Sequence, residues 1–126
     1  MKNRAVCVTG MGAISCLGLG VNVFWERVRD AETGITDGLG SVAEIPVREH
    51  EGRAYEFSMI AAREALAQAG LEQLDPEDGF ILATTTGQID IWAKEFVEFL
   101  RQKSSQEDLE VIFRHQSLGA LLDSLT

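Results

Sequence analysis

The two cysteines and two histidines of this sequence, Cys7, Cys16, His50 and His115, have the chemistry of a nucleophile or a general base, and one glycine pattern, Gly10-x-Gly12-x-x-Ser15, has the outline of a phosphate cradle. A cysteine attacks as its thiolate, which needs a helix N-terminus or a histidine to lower its pKa. Cys16 precedes the nearest expected helix by several residues and has no histidine near it in sequence, so it reads as a packed loop thiol. Cys7 lies in an apolar run and reads as a small core residue. His50, between Glu49 and Glu51, reads as a solvated loop histidine. His115, beside Arg114 and Gln116, opens the last helical segment, where it caps or hydrogen-bonds as readily as it acts as a base. The cysteines and histidines have no metal-ligand spacing, and the residues form no complete catalytic constellation.

The glycine pattern follows an apolar segment, as in dinucleotide-binding sites where glycines let the backbone approach a pyrophosphate at a helix N-terminus. Asp30 and Glu32 lie near the distance expected for a ribose contact. Against this, Cys16-Leu17-Gly18-Leu19-Gly20 prolongs the loop, and the helix is expected only from Asn22. Nucleotide binding is therefore the weakest of three functional readings.

The elements that must position these residues follow from hydrophobic spacing. Residues 4–10 are short, β-branched and apolar on both faces, which predicts a buried parallel strand ending in a glycine turn. Asn22 is a suitable N-cap for a helix to about Asp30, terminated by Gly34. Residues 33–52, rich in Gly, Asp and Glu and containing Pro46, read as a surface loop with at most a short strand. From about Ala54 to Ala69 the spacing of Met59, Ala62, Leu66 and Ala69 predicts a helix. Ala61 and Ala65 give it a flat face for close packing, and Gly70 gives it a C-cap. After the turn Asp75-Pro76-Glu77-Asp78, residues 79–85 predict a second buried strand. Ile89, Trp92, Phe96 and Phe99, with Leu100 alongside, mark the core face of another helix. A polar turn from Lys103 to Asp108 leads into a last helical pattern of Leu109, Ile112, Phe113, Leu118, Leu121, Leu122 and Leu125.

Composition bounds the function. At 126 residues, with 45% hydrophobic and 25% charged side chains, the chain has the balance of one soluble globular domain with a single core, and the expected strands and helices make it α/β. A net charge of −9 repels nucleic-acid phosphates and anionic membranes, which weighs against a nucleic-acid partner. No apolar stretch is long enough to span a membrane. The opening Met1-Lys2-Asn3-Arg4 before a largely uncharged run has the outline of a signal peptide, but Gly10, Gly12, Gly18 and Gly20 break the helix such a segment adopts. Two cysteines are too few for a disulfide-stapled scaffold, so a reducing cytoplasmic setting is expected.

Val8-Thr9-Gly10-Met11-Gly12-Ala13-Ile14-Ser15-Cys16-Leu17-Gly18, followed by Val23-Phe24-Trp25-Glu26, resembles the opening of the β-ketoacyl-acyl-carrier-protein synthases. Thr33-Gly34-Ile35 resembles the family's small-Gly-Ile after its first helix, and residues 61–71 resemble its next helix. Residues 81–88 fall on the following strand and glycine-rich turn, and residues 117–122 resemble the helix just before the nucleophile segment. Cys16 stands where the family often has Pro, and the loop over residues 36–53 is shorter than in many elongating members.

The resemblance implies the N-terminal part of a thiolase-like, five-layered αβαβα fold whose parallel-strand core is incomplete in this chain, and which forms homodimers. It implies decarboxylative condensation of acyl and malonyl units in fatty-acid or polyketide-type biosynthesis, with substrates carried on the phosphopantetheine of an acyl carrier protein and no cofactor bound directly. The family's nucleophilic cysteine, in an Ala-Cys-Ser motif, and its two catalytic histidines match no residue here, so no catalytic residue is carried over. The family's turn, typically Gly-Thr-Gly-Ile-Gly-Gly, appears as Ala83-Thr84-Thr85-Thr86-Gly87-Gln88, which implies that Thr86 and Gly87 line an acyl pocket. The implied partners are the remainder of the synthase, or a second synthase-like subunit, and the carrier protein. The competing reading is a noncatalytic ketosynthase-like partner that sets chain length or serves docking.

Overall fold

The structure is a computed structural model that describes residues 5–42, 45 and 52–115. Helices and small antiparallel sheets make up its regular elements: β1 (Ile14–Ser15), β2 (Gly18–Leu19), α1 (Val21–Arg29), β3 (Ile35–Thr36), β4 (Leu39–Gly40), α2 (Arg53–Ala69), α3 (Ile89–Leu100) and α4 (Gln106–His115). This mixed helix and strand content is compatible with an α/β chain. Where length predicts a single core, the chain divides into two compact units, Met1–Ile45 with Ser58–Asp78, and Pro46–Phe57 with Gly79–Thr126.

In the first unit, β1 and β2 form a hairpin with Ile14 opposite Leu19 and Ser15 opposite Gly18. The Ser15 hydroxyl accepts the Leu17 N–H at 3.1 Å inside its two-residue loop, and Leu17 itself is buried. Arg27 of α1 donates to the Leu17 carbonyl at 2.6 Å, tying the hairpin to that helix. α1 stops at Arg29, ahead of Gly34. The Ala31 N–H bonds the Val28 carbonyl and the Glu32 N–H bonds the Arg27 carbonyl, with Ala31 at φ 57°. That pair of bonds is the Schellman closure, here made without glycine at its left-handed position. β3 and β4 form a second hairpin within the expected loop, Thr36 opposite Leu39, closed by Asp37 and Gly38 at φ 53° and 77°. Asp-Gly with both residues at positive φ is the two-residue turn whose twist suits a hairpin.

α2 begins one residue before the expected helix and ends as expected. Gly70 at φ 72° donates to the Ala67 carbonyl and Leu71 donates to the Leu66 carbonyl. The acidic turn also forms as expected, with the Asp78 N–H on the Asp75 carbonyl at 2.9 Å and the Asp75 N–H on the Asp78 carboxylate at 2.9 Å.

Neither expected buried strand is present. Residues 5–10 and 79–85 have no strand pairing, and Val6 and Ile81 are 94% and 95% exposed. Cys7, expected in the core, is exposed with them. A strand exists only as a ladder with a second backbone, and apolar composition supplies the propensity but not that partner.

In the second unit, α3 packs on α4 through Trp92 and Phe113, whose ring centroids lie 6.3 Å apart with planes tilted by 32°. The aromatic stripe expected as core is only partly covered: Trp92 and Phe99 are half-buried, while Ile89, Phe96 and Leu100 are exposed. α4 starts inside the expected polar turn. Ser105 and Asp108 form a reciprocal cap, the Ser105 N–H and hydroxyl each donating to the Asp108 carboxylate at 2.8 Å and the Asp108 N–H donating back to the Ser105 hydroxyl at 3.2 Å. The expected continuation of this helix through Leu118, Leu121, Leu122 and Leu125 lies outside the described residues.

Candidate functional site

Helices need partners for the N–H groups of their first turn. α1 and α2 both begin after a glycine, Gly20 and Gly52, which has no side chain to cap with. In each case a carboxylate from another helix fills the gap. Glu64 of α2 accepts the Val21 N–H at 2.8 Å through one oxygen and the Ala13 N–H at 2.9 Å through the other. Asp90, in the first turn of α3, accepts the Arg53 N–H at 2.9 Å. A negative charge at a helix N-terminus also meets the positive end of the helix dipole.

Around Glu64, the glycine segment that carries the phosphate-cradle pattern lies antiparallel along α2. The Met11 N–H donates to the Gln68 side-chain oxygen at 2.6 Å, and the Gly20 N–H returns to the Ala13 carbonyl at 2.8 Å. A Cβ on Gly10 would collide with the Ala65 carbonyl oxygen and one on Gly12 with that of Ala61. Ala61 and Ala65 are the flat face that helical spacing predicts, one turn apart, and the two glycines are the backbone that fits it. The same geometry bears on the nucleotide reading, because a phosphate at the α1 N-terminus would have to displace Glu64.

Cys16 is half-buried in the first hairpin loop, as a packed thiol is expected to be. Two glycines lie close to it: a Cβ on Gly40 would lie 3.1 Å from its sulfur, and one on Gly34 would collide with its carbonyl. A thiol in a β-hairpin loop lacks the helix N-terminus that would activate it. His50 lies outside the described residues. His115 is the last residue of α4, and its side chain is likewise outside them.

The turn over residues 83–88 leads directly into α3. The Gly87 N–H donates to the Thr84 hydroxyl at 3.0 Å, with Gly87 at φ 55°. Thr86 is exposed, Gly87 half-buried, and Gln88 is 93% covered, with 7% exposed. The Gln88 carbonyl accepts the Ile91 N–H at 3.0 Å to open the helix. Gly52 packs on the Gln88 side chain so closely that a Cβ there would lie 3.0 Å from both its Cβ and Cγ and 3.2 Å from an Asp90 oxygen. Arg53 then stacks its guanidinium 5.5 Å from the Phe57 ring centroid. The turn, the start of α2 and the start of α3 thus form one backbone-rich corner, with Thr86 on its outer side and Gln88 on its inner side.

This corner can present hydroxyl and backbone groups along a wall. Thr86 and Gly87 are brought beside Gln88, Gly52 and Asp90, and the Asp90 carboxylate is engaged by the Arg53 N–H at the start of α2. Sequence reading did not identify Glu64 or Asp90 as caps, because each bonds to a helix start distant in the chain. Among the described residues there is no group of three or more His, Cys, Asp or Glu side chains placed to hold a metal ion, and no helix is long and apolar enough to cross a membrane.

Compared with protein-family models, with curated proteins and with solved structures, the chain finds no match.

Proposed function

We propose that this chain contributes the scaffold and an acyl-pocket wall of a cytoplasmic β-ketoacyl-acyl-carrier-protein synthase, an acyltransferase with the thiolase-like five-layered fold that condenses acyl and malonyl units. One observation carries the reading. Two blocks of the resemblance, residues 8–18 and 61–71, meet in the structure through Gly10 and Gly12 on Ala65 and Ala61 and through Ala13 on Glu64. The glycines, alanines and glutamate that make up the resemblance are thus the residues the packing requires, which gives those blocks a physical reason to occur together. A third block ends in the turn at Thr86 and Gly87, the wall that this reading assigns to the acyl chain.

On this reading the nucleophilic cysteine and the two histidines, which the resemblance matches to no residue among these 126, belong to the remainder of the synthase, in the same or a second polypeptide. An acyl carrier protein delivers both substrates as thioesters of its phosphopantetheine. The thiolate attacks the acyl thioester and releases the carrier thiol. Loss of carbon dioxide from the malonyl thioester then supplies the carbanion that displaces the cysteine from the acyl carbon.

The test is a condensation assay on the natively purified assembly containing this chain, supplied with labelled acyl-carrier protein and malonyl-carrier protein. The expected result is carbon dioxide release, a two-carbon extension and acyl label on a cysteine outside these 126 residues. Absence of extension, or label on Cys16 itself, would overturn the reading.

A further inference from the structure

We draw no further inference here: the strongest candidate, the exposed apolar surface patch of Val6 and Val8 ahead of the glycine segment, carries nothing because nothing in the structure shows what covers it.

Discussion

Glu64 and Val21, 43 residues apart in the chain, are joined by a 2.8 Å hydrogen bond from the first N–H of α1 to a carboxylate in the middle of α2. The other oxygen of the same carboxylate holds the Ala13 N–H, so one side chain fixes both the helix start and the glycine segment before it. Replacing Glu64 with Ala leaves two part-buried donors without their acceptor, an expected loss of about 1–3 kcal/mol. Glu64→Gln keeps one acceptor oxygen and is expected to lose less. Urea unfolding ranks the variants, and amide exchange at Val21 and Ala13 locates the effect. Equal stability of Glu64→Ala and the parent would contradict the cap.

Glycine substitutions separate close packing from simple chain flexibility. Gly10→Ala and Gly12→Ala drive a methyl group into a helix carbonyl that cannot swing aside, and each is expected to cost about 1–3 kcal/mol or more, the range for overpacking. Gly79 has open space around the position of a Cβ. Gly79→Ala is therefore expected to be neutral or to stabilise by up to about 1 kcal/mol through the unfolded chain. Thermal unfolding of the three variants checks the order.

Ala31 and Gln102 hold left-handed conformations at the ends of α1 and α3, with φ of 57° and 58°. An L side chain in that region is strained, and glycine is not. Ala31→Gly is expected to stabilise by about 0.5–1 kcal/mol, the strain relieved exceeding the extra unfolded-state entropy. A fall in the urea midpoint would contradict the left-handed assignment.

The Asp108 carboxylate is held below the ordinary aspartate range, first by the Ser105 N–H and then by the Ser105 hydroxyl, with a small opposing effect of desolvation. Because its folded pKa is the lower one, the cap adds stability above the unfolded value and loses it as pH falls through the folded value. Fraying of the first turn of α4 is therefore expected only in acid, below the usual aspartate pKa of about 3.9. Titration of the Asp108 carboxyl by NMR checks the direction, and Ser105→Ala is expected to move its pKa upward.

The proposed function places Thr86 where a synthase would carry an aliphatic residue. Within the proposed assembly, Thr86→Ile is expected to change which acyl chain lengths are extended, with kcat/KM across a chain-length series as the readout. An unchanged preference would remove Thr86 from the pocket wall.

Helix α2 is legible in the sequence because its signals are local: apolar spacing, an alanine face and Gly70. α3 is legible for the same reason, although the exposure of Phe96 and Leu100 is not, since periodicity identifies an apolar face without saying what lies against it. The start of α1 misleads. Asn22 is a good cap by type, but the helix opens after Gly20 under a carboxylate 43 residues away, a tertiary contact with no local trace. Two signals were present and outweighed by composition: Asp37-Gly38 between Ile35-Thr36 and Leu39 is a hairpin signature inside a stretch that reads as loop, and Ser105-x-x-Asp108 is a capping box inside a stretch that reads as a polar turn. The expected strands at 4–10 and 79–85 mark the limit of such reading, because strand propensity belongs to the residues and pairing belongs to a second backbone.

At the candidate site, the role proposed for Thr86 and Gly87 comes from the resemblance alone. Gly52 and Asp90, which pack beside it, carry no sequence signal that would join them to it.

Light scattering on the native assembly, combined with intact mass before and after exposure to an acyl-acyl carrier protein, tests the synthase reading most directly. The reading predicts that these residues occur within, or co-elute with, a larger polypeptide and that the acyl mass appears outside residues 1–126. A folded monomer of 13.8 kDa with no companion, or an acyl adduct on this chain, would contradict it.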